Sequence, residues 1–147
     1  MEWIRMILVM VLIGRAIYTD VRKGMIENRI LEIGLVLGLV CAYVEGGVET
    51  LFQSIGMTIL LLAGLWFLFV LRGLGGGDIK LLCVLAAFYP NQIVTVVVAS
   101  FVAGAGIGLI QMLIRLLRGK QVYIRGETIH FSVAIGMGMA YFLMFGG

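Results

Sequence analysis

The sequence predicts an all-α fold, a polytopic membrane helix bundle of six transmembrane helices with a broken or re-entrant fourth helix. Three observations predict it. The chain is 62% apolar and 13% charged, where soluble domains run at about 45–50% and about 25%. Its mean hydropathy is +1.13, which excludes an ordinary soluble fold and a disordered chain. Its basic residues also alternate between segments in a way that a bundle of six spans explains and other counts scramble. The 147 residues suit one domain over 1–147. At about 20 residues per span they allow at most six crossings.

The elements follow in order. Residues 3–18 form the first apolar run, with aromatics near both ends as in interfacial belts. It mimics a signal peptide, but Glu2 stands where a basic start is expected and no A-x-A cleavage pattern follows. It is therefore expected to be retained as a span. A polar segment occupies 19–29. The second span covers about 30–44, with Gly34 and Gly38 at GxxxG spacing. Residues 45–49 read as a turn, and 51–71 as the cleanest span.

The glycine-rich stretch 72–80 precedes a short fourth run, 81–89, that stops at Pro90. At about 1.5 Å per residue, nine residues do not cross a core about 30 Å thick. The preferred reading is that the 75–78 loop dips below the membrane surface, where protein or a water-filled cavity must cover it. Pro90 merely kinking one longer helix is the alternative. Residues 93–117 form the fifth span, 115–127 a basic loop, and 129–145 the last span.

With six alternating spans, segments 15–32, 72–80 and 115–127 share a side. They hold ten of the 11 basic residues. Arg5 alone lies on the other side, with Glu2, Glu45 and Glu49. The positive-inside rule makes the first side cytoplasmic and both termini extracytoplasmic, in the cytoplasmic (inner) membrane.

Asp20 and Asp78 are the two aspartates of the chain, and both fall at the cytoplasmic side. Asp20 alone reads as an interfacial charge beside Arg22 and Lys23. Asp78 alone reads as a helix N-cap favoured by the dipole. Together they permit more, because a carboxylate at membrane depth is costly and marks function by default. Two carboxylates that meet share a proton. One then deprotonates a water while the other hydrogen-bonds a scissile carbonyl. Glycines before Asp78 let the backbone turn sharply and let another chain approach. The spacing permits this chemistry without establishing it.

The residues also carry a resemblance. The run Gly75-Gly76-Gly77-Asp78-Ile79-Lys80 resembles the GxGDxK motif of the type IV prepilin peptidases. Asp20 followed by Ile26-Glu27-Asn28 resembles that family's first aspartate and its Ile-Pro-Asn. The resemblance implies a catalytic dyad of Asp20 and Asp78, with Gly75 and Gly77 shaping the loop. It implies a membrane aspartic endopeptidase that removes the basic leader of prepilins or pseudopilins at the cytoplasmic face. Glu27 and Glu32 are the acids placed to receive that leader. Glu27 stands where the family has proline. Val133, in His130-Phe131-Ser132-Val133 at the entry to the last span, likewise replaces a common proline. The paired CxxC motifs of longer, methylating members do not occur here, so peptidase activity without methylation is expected. Short stand-alone members of tight-adherence (Flp-type) pilus systems are similar, and archaeal preflagellin peptidases share the dyad.

Lys80 reads either as an interfacial anchor or as a charge partner of the dyad. Asn28 either caps the second helix or hydrogen-bonds near Asp20. His130, the lone histidine, has no companion ligand in sequence, and Cys41 and Cys83 read as apolar packers. No metal and no cofactor is expected. The expected partners are the substrate's leader and hydrophobic helix and the lipid bilayer. Nucleic acid is not, because the positive charge lies along membrane edges without an aromatic stripe. A carrier or pilus-assembly subunit with an ion at Asp78 is the competing class. It expects an ionisable pathway through the membrane, which the outer halves of the spans lack. A non-catalytic scaffold, the third reading, would tolerate loss of either aspartate.

Overall fold

The first helix, α1 (Glu2–Lys23), runs past the predicted end of the first span, because nothing breaks it before Gly24. Gly24 takes the left-handed conformation (φ 69°) and donates its N–H to the Asp20 carbonyl at 2.8 Å, closing the helix. Asp20 therefore lies in the last turn of α1 rather than in a polar segment after it. The computed structural model describes residues 2–71, 74–117 and 131–145. Arg72, Gly73 and the basic stretch with Arg118, Lys120, Arg125, Glu127 and His130 lie outside them.

Four helices follow: α2 (Asn28–Val70), α3 (Gly76–Phe88), α4 (Ile93–Leu117) and α5 (Phe131–Phe145). No strand occurs among the described residues. The 43 residues of α2 are interrupted at Gly47, where φ 68° and ψ −153° leave the helical region altogether. Only glycine takes that conformation readily. The contacts on either side show that α2 doubles back there. Its first arm runs alongside α3 in the same direction, with Asn28 bonded to Lys80 and Gly38 against Ala87 and Phe88. Its second arm runs the opposite way. Gln53 bonds Asn91, Thr58 reaches the Cys83 carbonyl, and Phe69 approaches Gly76. The turn predicted at 45–49 is this reversal.

The fourth apolar run forms a continuous 13-residue helix, not a broken one. The interruption in the chain lies in α2 instead. At about 1.5 Å per residue α3 is roughly 20 Å long. It is the buried centre of the bundle, with every side chain from 81 to 90 sequestered. Pro90 does not kink one longer helix. It stands in the turn between α3 and α4, since α3 ends at Phe88 and α4 begins at Ile93.

Glycines decide how closely the helices pack around α3. A Cβ on Gly34 would fall 2.1 Å from Leu12 Cδ1 and 3.0 Å from Val84 Cγ1. The predicted GxxxG face of the second span therefore meets α1 and α3 at once. α5 runs antiparallel to α1 and α4. Gly136 lies against Ile13 and Ile17, and Gly138 against Ser100.

The exterior is apolar. Phe52, Phe67, Val102 and Leu109 are among many large exposed hydrophobics. Exposure on this scale exceeds what soluble monomers carry. Two helices among the described residues are long and apolar enough to cross a membrane. They are Asn28–Val70, whose most apolar stretch is 11% buried, and Ile93–Ile114, at 17%.

At one end of the bundle Arg5 bonds Glu2 at 2.9 Å, pairs with Glu45, and lies 4.4 Å over the Tyr89 ring. It fastens the start of α1 to the end of the first α2 arm and the end of α3. The other end holds Asp20, Asn28 and Asp78.

Candidate active site

The site is built from the last turn of α1, the first turn of α3 and the 24–28 connection between α1 and α2. Asp20 is half-buried. Its Oδ2 accepts a hydrogen bond from the hydroxyl of Ser132, on α5, at 2.5 Å. Asp78 is also half-buried and is the third residue of α3, in the first turn of a helix whose N-cap is Gly75. That corrects the reading of Asp78 as the cap itself. The first turn still favours its negative charge through the helix dipole and free N–H groups.

Gly75 has φ −72° and ψ 147°, a conformation open to any residue. Among the described residues only Gly24 and Gly47 have positive φ. Close approach, not backbone strain, therefore explains the motif. A Cβ on Gly75 would sit 3.0 Å from Asp78 Oδ2, because the carboxylate folds back over that residue. A Cβ on Gly77 would sit 3.3–3.5 Å from three carbons of Ile26. Ile26, itself buried, follows Asp20 by six residues. Its packing on Gly77 seats the start of α3 against the connection that leaves α1.

Lys80 donates to Asn28 Oδ1 at 3.1 Å. This bond ties the start of α3 to the start of α2. Asn28 is thus not the cap of α2, whose N-cap position is Glu27. Glu27 is paired with Lys23. The hydrogen bond and charge of Lys23 hold the Glu27 carboxyl below its ordinary value of 4.5. Glu32 is exposed on the first arm of α2, next to the core-facing Leu31. Among the described residues, no three of His, Cys, Asp and Glu gather as a metal would need.

Ile26 and Ser132 were not singled out by sequence reasoning. The signal for Ser132 was a single hydroxyl at the mouth of an otherwise apolar run. The signal for Ile26 was its place at the head of Ile26-Glu27-Asn28, but that motif does not reveal that its partner is a glycine 51 residues on.

The architecture is that of an all-α, membrane-associated bundle with both aspartates at one end. Residues 6–109, more than half of the chain and including both aspartates, match the family model of the type IV leader peptidase family. The chain belongs to that family, and its likeness is to a peptidase acting on prepilin-type substrates. No curated protein and no solved structure matches it.

Proposed function

We propose that the chain is a membrane aspartic endopeptidase that removes the leader of type IV prepilins or pseudopilins. The observation that carries this reading is the placement of Asp20 and Asp78 at one end of the bundle, where Ile26 packs on Gly77 and Lys80 bonds Asn28. Six helical segments, counting the two arms of α2, alternate in direction and support six crossings. Arg15, Arg22, Lys23, Arg29 and Lys80 lie toward the aspartate end and Arg5 at the other. By the positive-inside rule the aspartates face the cytoplasm and both termini lie outside.

In this mechanism one carboxylate takes a proton from a water, whose oxygen attacks the scissile carbonyl. The second carboxyl, protonated, hydrogen-bonds the carbonyl oxygen as negative charge develops there. Collapse of the tetrahedral intermediate breaks the C–N bond, and a proton passes to the leaving amine. The two carboxyls then hold one proton between them, ready for the next cycle. Glu32, exposed, is the acid open to a basic leader, whereas Glu27 already holds Lys23. The product is proposed to leave with an unmethylated amine.

The test is co-expression with a prepilin, reading leader removal by gel shift and the mass of the product. Asp20→Asn and Asp78→Asn should each abolish cleavage with the protein still inserted, and chelators should not slow the wild type. Cleavage that survives either substitution, or that EDTA stops and zinc restores, overturns the aspartic assignment.

A further inference from the structure

We propose that Ser132 is a positioning residue for the Asp20 carboxylate, holding one of its oxygens so that the other faces the substrate. This rests on the aspartic reading above. Ser132 is fully buried, lies 112 residues from Asp20 in sequence, and donates to Oδ2 at 2.5 Å. A hydroxyl buried in a helix ordinarily turns to the carbonyl one turn back. Thr19, Thr58 and Ser100 of this chain do so, bonding Arg15, Ser54 and Val96 carbonyls. Ser132 is the second described residue of α5, with no described turn of that helix behind it, and its hydroxyl reaches across to another helix and to a carboxylate.

The helix faces explain why it can. Ile13, Ile17 and Asp20 lie on one face of α1 at helical spacing, and Ser132 and Gly136 lie on one face of α5. A Cβ on Gly136 would come within 2.9 Å of Ile17 and 3.3 Å of Ile13. The glycine thus lets α5 approach α1 closely, and one turn earlier this approach delivers Ser132 to Asp20. At 2.5 Å the hydroxyl lies at hydrogen-bonding distance from the carboxyl oxygen. The bond ties the rotation of the Asp20 side chain, in the last turn of α1, to the position of α5.

Three variants of the full-length, membrane-inserted protein test this with purified prepilin. Ser132→Ala removes the hydroxyl. Ser132→Thr and Ser132→Val add the same bulk and differ in the hydroxyl alone. The Ala and Val variants should lose about 10- to 100-fold in kcat, the range of a charge-assisted hydrogen bond, with KM little changed. The Thr variant should keep most of the wild-type kcat. Equal loss in the Thr and Val variants, or wild-type kcat in the Ala variant, overturns the inference. Asp20→Asn is run alongside. If it retains cleavage, the aspartic reading itself fails. If it abolishes cleavage while Ser132→Ala does not slow it, only the role of Ser132 fails.

Discussion

Gly77→Val tests whether the glycine-rich turn acts by letting Ile26 approach. An added Cβ at Gly77 lies 3.3, 3.4 and 3.5 Å from Cβ, Cγ1 and Cδ1 of Ile26. Carbon atoms settle at about 3.5–4.0 Å, so alanine asks the contact to give by a few tenths of an ångström. Valine sets two further carbons roughly 1.5 Å beyond that Cβ, one bond length out. Ile26 is buried and β-branched, with few rotamers to retreat into. The turn must then move by about 1 Å and carry Asp78 with it, and a misplacement of that size costs about a hundredfold in rate. Gly77→Ala should therefore lose only a few-fold, and Gly77→Val about 100-fold, in a prepilin cleavage assay with purified protein. Gly64→Val is the control, since nothing lies within 4 Å of a Cβ there. Ile26→Ala placed on Gly77→Val should restore part of the rate. Wild-type cleavage by an inserted Gly77→Val protein would refute the reasoning, as would equal damage from Gly64→Val.

Three further outcomes are expected. Arg5→Ala strips Glu45 of its partner where the two side chains are 14% and 21% exposed, and should cost about 3 kcal/mol in denaturation measurements. Adding Glu45→Gln should recover part of that loss, and a double variant as unstable as the sum of the singles would exclude the coupling. Glu27 has a depressed folded pKa, so its pair with Lys23 contributes above the unfolded value and fades as pH falls through the folded one. Glu27→Gln should lower the melting temperature slightly at neutral pH, with the gap closing below the ordinary value of 4.5. A gap that persists in acid would contradict the pairing. A reporter fused after Phe145 should be active only outside the cytoplasmic membrane, and activity inside would mean an odd number of crossings.

The sequence alone determined what depends on composition and local backbone. A chain 62% apolar must hide its surface in lipid or in a larger assembly, and the helices form where the apolar runs lie. The reversal near Gly47 was legible because adjacent glycines between charged residues mark a turn. The family was legible because Gly75, Gly77 and Asp78 form a contiguous motif. α1 continues past the first apolar run because polarity at Thr19 and Asp20 does not stop a helix, whereas a left-handed glycine does. Only the tertiary structure decided why the motif needs glycine, since Gly75 has ordinary dihedrals and the pressure on Gly77 comes from Ile26. It also decided that Lys80 and Asn28 are partners, that Glu27 is taken by Lys23, and that Ser132 reaches Asp20. The three motif-side contacts, Ile26 on Gly77, Lys80 with Asn28 and Ser132 with Asp20, join residues about 50 to 112 positions apart. Local propensity and periodicity carry no information at that range, because such pairs meet only after the helices have packed.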